Sequence, residues 1–178
     1  NALNAGIGSL FVPKSIYRIG GSVQGSTSLN IPSNFNLIGE GGSKLLVDRG
    51  DGTYTANAIR INGVTNVLIS GLEIYSTVTA MGQTTTGIVI LGTSLQSKNI
   101  RVDSCIFHDL TTGVIAGGSG VVRSSNVTVV DCTSYSCANN GMSTSFAESV
   151  QYVRCNCYSN GLPSGAGYGI DIDSNVGE

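Results

Sequence analysis

Asp171 and Asp173 stand two apart in the run Gly169-Ile170-Asp171-Ile172-Asp173. On a strand alternate residues share a face, so both carboxyls point the same way from Cα atoms about 7 Å apart. Glycoside hydrolysis uses a carboxyl pair at roughly 5–10 Å, one as acid and one as base or nucleophile. The plainer alternative is an Asp-x-Asp that solvates a coil edge or caps a turn. His108 is the sole histidine, and Asp109 follows it. An imidazole can act as acid or base, although a single histidine on a stacked surface is more often structural.

Other groups carry weaker signals. A lyase abstracts a proton beside a uronate carboxylate and must neutralise that carboxylate, which points to Arg101 with Asp103 and to Arg154. On one strand Arg101 and Asp103 also read as a surface ion pair. Asp48-Arg49-Gly50-Asp51-Gly52 is an acidic, glycine-rich loop whose spacing does not fit an EF-hand, so a turn is the better reading. Asn126-Val127-Thr128 is a formal glycosylation sequon inside an expected strand and is set aside. No metal site and no cofactor are expected.

Composition narrows the classes. The chain has 178 residues, with 25 Gly, 11% charged residues and a net charge of −2. Ser, Thr, Asn and Gly fill 78 positions. A phosphate backbone needs a basic surplus that is missing here, so nucleic acid is not an expected partner. No apolar run approaches the ~20 residues of a membrane helix, so membrane insertion is not expected. A hydrophobic share of 40% is too high for a disordered chain. Abundant Val, Ile, Thr, Asn and Gly favour short strands and tight turns. The five cysteines, Cys105, Cys132, Cys137, Cys155 and Cys157, are odd in number and form no CxxC pair. Free buried thiols acting as small hydrophobes are expected, in keeping with folding in a reducing cytoplasm.

The elements that must position these groups appear as a repeat. Gly87-Ile-Val-Ile-Leu, Gly113-Val-Ile-Ala-Gly, Gly141-Met-Ser-Thr-Ser and Gly169-Ile-Asp-Ile-Asp recur at spacings of 26, 28 and 28 residues, after an earlier copy at Ala58-Ile-Arg-Ile-Asn. A second family starts at Val67, Ile100, Val127 and Val150. Each repeat reads as three short alternating strands, and such a unit buries its apolar face only by stacking on its neighbours. The expected fold is therefore all-β: a right-handed, single-stranded parallel β-helix, a solenoid in one domain. Residues 1–56 form its opening segment and first coils, and 57–178 its regular coils.

Stacking predicts inward files Leu72/Cys105/Cys132/Cys155 and Ile74/Phe107/Ser134/Cys157. It predicts outward pairs Arg60/Asn62, Val89/Leu91, Ile115/Gly117, Ser143/Ser145 and Asp171/Asp173. Tyr75, His108, Tyr135 and Tyr158 fall in one outward file. That aromatic stripe could contact sugars, as could Arg60, Ser143 and Ser145 beside the acids. It could equally be a stacking ladder or a subunit interface.

Phe11-Val12-Pro13-Lys14 with Tyr17-Arg18-Ile19, and Leu37-Ile38-Gly39-Glu40-Gly41, resemble the opening of the pectate-lyase-like right-handed β-helix superfamily. In that family a helix precedes these strands; here Ala2-Leu3-Asn4-Ala5-Gly6 is its possible tail. The far end stops in mid-coil at Asn175–Glu178, so the chain is expected to be part of a longer helix or assembly. Bacteriophage tailspikes and tail-fibre domains are members with such Ser/Thr/Asn-rich coils. The resemblance implies a homotrimer or larger virion assembly on the phage tail. Its partner would be bacterial surface polysaccharide; if the chain cleaves it, the alternation-derived pair Asp171 and Asp173 is the first choice for hydrolysis. A non-catalytic adhesive spike and a secreted pectate-lyase-like enzyme are the alternatives. Tyr168-Gly169-Ile170-Asp171 is similar to the Tyr-Gly-x-Asp stretch of alginate C5-epimerases. Those enzymes follow it with Pro and His, whereas Ile172 and Asp173 stand here, so epimerisation lacks its histidine.

Overall fold

The computed structural model describes residues 8–19, 28–47, 56–77, 85–119, 121–161 and 167–173, and gives the backbone alone at Ala56, Ser119 and Asp173. Ala2–Gly6, the Asp48–Gly52 loop and Asn175–Glu178 lie outside these residues. The described residues form strands, turns, bends and irregular links, and none of them is helical.

The chain coils. The first coil holds β1 (Ser9–Val12), β2 (Ile16–Ile19) and β3 (Leu29–Asn30). The next two hold β4 (Phe35–Val47) with β5 (Ala56–Asn62), then β6 (Thr65–Tyr75) with β7 (Thr85–Leu91). The regular coils follow: β8 (Lys98–Asp103), β9 (Ile106–His108) and β10 (Thr112–Ser119), then β11 (Val122–Val130), β12 (Thr133–Tyr135) and β13 (Met142–Ser145). The last described coil is β14 (Ala147–Val153), β15 (Asn156–Tyr158) and β16 (Ile170–Asp173).

Each strand pairs in parallel with its counterpart one coil away, which makes three faces. Face A stacks β1, the start of β4, the start of β6, β8, β11 and β14. Face B stacks β2, the ends of β4 and β6, β9, β12 and β15. Face C stacks β3, β5, β7, β10, β13 and β16. The expected parallel β-helix is the fold observed. One local departure is a short antiparallel pairing of β10 with β11, Gly118 opposite Arg123, where face C turns into face A.

The corners turn on single residues with positive φ. Gly42, Gly71, Ser104, Asp131 and Arg154 mark the corner between faces A and B, at φ of 93°, 68°, 52°, 52° and 50°. One left-handed residue between extended ones reverses the side-chain alternation and swings the next strand onto a new face. Asn34, Asn66, Asn99 and Asn126 do the same at the start of face A, with φ between 50° and 59°. Asparagine tolerates that region, and here its side chains also form a ladder. Asn66, Asn99 and Asn126 each donate from Nδ2 to the Oδ1 of the asparagine one rung earlier, at 2.9, 3.0 and 2.7 Å.

Inside, the two predicted files are present in register, with Ser43 and Leu45 extending them upward. Leu72, Ile74, Cys105, Phe107, Cys132 and Ser134 are fully buried, and Cys155 and Cys157 in the last coil are half-buried. All five cysteines are free. The repeated glycines form a further file. A Cβ on Gly87, Gly113 or Gly141 would lie 2.6, 2.4 or 2.6 Å from the carbonyl oxygen of the next glycine in the file. Successive rungs approach too closely there for any side chain.

Candidate functional site

The residues singled out from the sequence for sugar contact and hydrolysis fall on two outward surfaces, one on face B and one on face C. On face B, β6, β9, β12 and β15 are parallel and in register, so Tyr75, His108, Tyr135 and Tyr158 stand one above another. Their ring centroids are 5.1, 4.8 and 5.3 Å apart, with planes within 11°, 3° and 5° of parallel. The ring faces are thus turned toward one another. The surface receives ring edges and phenolic hydroxyls, which can hydrogen-bond a ligand rather than stack on it.

Around His108 the structure gathers charges that the file alone does not reveal. His108 Nδ1 lies 2.7 Å from Asp109 Oδ2, and Nε2 lies 3.1 Å from Glu73 Oε1. Lys44 Nζ donates to the same Glu73 oxygen at 2.7 Å. A ring protonated at both nitrogens donates to both carboxylates at once. Burial alone would raise Glu73, but the hydrogen bonds from Lys44 and His108 outweigh it and hold the carboxyl below its usual 4.5. The same bond to Glu73 raises Lys44 above 10.5. Burial, followed by the nearby Glu73 charge, raises Tyr135. Beside Glu73 opens a cavity of about 220 Å³ whose wall is left bare by Gly41, Gly42 and Gly71 and is completed by Ser104 and Ile106.

Face C carries the remaining residues expected from sequence. Arg60, Val89, Ile115, Ser143 and Asp171 form one file in register. Ser143 lies directly above Asp171, and the backbone of Ser145 directly above that of Asp173. Asp171 Oδ2 accepts from Asn140 Nδ2 at 3.0 Å, and Asn140 Oδ1 in turn accepts from the Tyr168 amide at 3.1 Å. Arg60 belongs to the same file but stands three rungs from Ser143, about 14 Å at the usual strand spacing. The structure therefore brings Ser143, Ser145 and Asp171 together with the Asp173 position. It leaves Arg60 apart from them and places the aromatic file on a different face.

The lyase candidates are engaged elsewhere. Arg101 binds Asp103 through Nε and a terminal nitrogen at 3.0 and 2.7 Å. Arg154 makes a two-pronged contact with Asp131 at 2.6 and 2.6 Å. Arg154 is an unforeseen link between coils, since its partner lies one rung earlier.

Sequence reasoning missed Glu73, Lys44 and Asn140. Glu73 and Lys44 are neighbours in the outward file two residues before the rings, and opposite charges one rung apart in a chain this poor in charge were the available signal. Asn140 gave no signal beyond its place before a repeat glycine. Among the described residues no cluster of three or more His, Cys, Asp or Glu side chains is arranged to hold a metal ion, and no helix is long and apolar enough to cross a membrane.

No curated protein and no solved structure matches the chain. A family model described as the right handed beta helix region matches residues 39–177, from the first glycine-rich corner to past the last described strand. That match covers more than half of the sequence, and its coils are those seen in the three parallel faces. The chain accordingly belongs to the right handed beta helix family.

Proposed function

We propose that this protein binds an extended bacterial surface polysaccharide along its coils, as a tailspike-like component of a homotrimeric assembly on a phage tail, and hydrolyses it on face C. The observation that carries this reading is the register of β13 on β16, which sets Ser143 and Ser145 over the Asp171 and Asp173 positions. A polymer with a repeating unit meets a protein surface that also repeats, and hydroxyl, amide and carboxyl groups on adjacent rungs suit its hydroxyls. In the reaction one of the two acids protonates the glycosidic oxygen, and the other acts as base or nucleophile at the anomeric carbon. Asp171 suits the second role, because Asn140 donates to Oδ2 and orients the carboxylate. Hydrolysis is favoured over elimination because Arg101 and Arg154 are each committed to a carboxylate.

The test is incubation with capsular and lipopolysaccharide extracts, reading new reducing ends and the ultraviolet absorbance of an unsaturated product. Reducing ends without that absorbance are expected. Asp171→Asn and Asp173→Asn should each lower their release about 100-fold or more while binding persists. Full activity in both variants would remove these residues from the site.

A second reading is a non-catalytic adhesive spike. It is favoured by the tie from Asp171 to Asn140 across the rungs, which is also what a structural strut would make. It expects binding with no new reducing ends.

A further inference from the structure

We propose that the cavity beside Glu73, at the corner between faces A and B, is a second ligand site, which holds one neutral, hydroxyl-rich ring of monosaccharide size. The cavity follows from the sequence. Between Ile38 and Ser43, β4 carries four residues, Gly39-Glu40-Gly41-Gly42, where its partner β6 carries Gly71 alone between Ser70 and Leu72. The extra residues form a bulge at the Gly71 corner. Later coils place Ser104, Asp131 and Arg154 at that corner with the same left-handed backbone, so each brings a side chain to it. Gly71 cannot be replaced in kind, because a Cβ there would lie 2.6 Å from the Gly39 carbonyl oxygen. The result is a notch of about 220 Å³ in the middle coils.

The wall of the notch selects the chemistry of its ligand. Glu73 Oε1 accepts from Lys44 Nζ at 2.7 Å and lies 3.1 Å from His108 Nε2. A carboxylate has about four acceptor positions, so capacity remains for a ligand hydroxyl. The Ser104 hydroxyl donates its proton to Asp103 Oδ1 at 2.7 Å and is left as an acceptor. Two acceptors in one wall call for a ligand rich in donors. Charge narrows the class further. A cationic ligand would meet the Lys44 ammonium already on Glu73, and an anionic one would meet the carboxylate. Hydroxyls donate without adding charge.

The rest of the wall is apolar: the glycine backbone, Leu72, and Ile106, which follows Glu73 in the outward file and is 40% exposed. Such a wall suits the C–H side of a sugar ring, with the few polar groups fixing its orientation. The volume lies below the roughly 300–1,000 Å³ of drug-sized sites, so the notch takes one ring and not a longer segment. A free monosaccharide and a single unit of a polysaccharide share this chemistry. The notch is on another face from Asp171 and Asp173 and does not depend on cleavage there.

The experiment titrates the isotope-labelled native chain with glucose, galactose, mannose and N-acetylglucosamine, and with their methyl glycosides, and follows the amide resonances by NMR. At least one of these sugars should bind with a Kd on the order of 1 mM and shift the amides of Gly41, Gly71, Ser104 and Ile106. Methyl glycosides that bind as well as the free sugars mark a site open to a unit of a chain, and binding of the free sugars alone marks a site for a monosaccharide. Glucosamine and glucuronate should bind about 10-fold more weakly than the neutral sugar. Glu73→Gln should weaken binding about 10-fold, while Glu148→Gln, the same change at an exposed position of face A, should leave it unaltered. Ile106→Thr should weaken it roughly 3-fold, and threonine already stands at the next rung of that file as Thr133, so this variant is expected to fold. Circular dichroism checks the fold of each. No shift with any neutral sugar, shifts confined to other faces, tighter binding of a charged probe, or native affinity in folded Glu73→Gln and Ile106→Thr would each overturn the proposal.

Discussion

Glu73 receives hydrogen bonds from Lys44 one rung earlier and from His108 one rung later, so a single carboxylate ties three coils together. Its folded pKa is depressed, so its contribution to stability is present above the ordinary 4.5 and is lost as the pH falls through the lower folded value. Glu73→Gln should therefore lose about 1 kcal/mol at neutral pH, a modest figure because the site is partly solvated. That deficit should shrink as the pH is lowered from neutral through the depressed folded value, measured by urea unfolding across an acid pH series. A deficit that stays constant with pH would deny the carboxylate this role. Deeper in, Phe107 is fully buried between Ile74 and Ser134, and Phe107→Ala should cost about 3–5 kcal/mol. Alternation and repeat spacing made the rings and thiols legible, because they recur at matching positions. The pairing of Lys44 with Glu73, and of Glu73 with His108, depends on the reach of side chains between rungs, which a one-dimensional pattern does not carry.

At the scale of the strands, close approach of backbone to backbone is what the glycine repeat records. Gly113→Ala would put a methyl group 2.4 Å from the Gly141 carbonyl oxygen and near the Phe107 and Ser134 side chains. A loss of about 2 kcal/mol or more is expected, read as a lowered denaturation midpoint. The same substitution at Gly41, where nothing lies within contact of the new Cβ, should be nearly silent and serves as the control. Strands and their stacking order were readable because those glycines and the alternating Val and Ile recur together. The corners were not. Asparagine is a recognisable left-handed residue, but Ser104, Ser136, Phe146 and Arg154 also adopt positive φ, and their types give no such warning. There the stacked coils above and below impose the turn. The outward position of Val89 also proved deceptive, since it is only 6% exposed between Arg60 and Ile115.

For the molecule as a whole, each coil touches only its neighbours, so stability is a chain of local interfaces. Inward residues of the central coils, such as Ile69, Val102 and Val129, are completely buried. Their counterparts in the last described coil, Val150 and Tyr152, pack against the core from partly open positions. Amide hydrogen exchange should be slow in β6, β8 and β11, whose inward residues are buried. Fast exchange in those strands would contradict it. The direction of the backbone bonds has a mechanical corollary. In all three faces they run parallel to the long axis, so a load that pulls the two ends apart meets one rung's worth of bonds at a time and peels the molecule like a zip. A load applied across the axis must break many rungs together. A solenoid of this build is stiff against sideways bending and yields most readily to tension along its length.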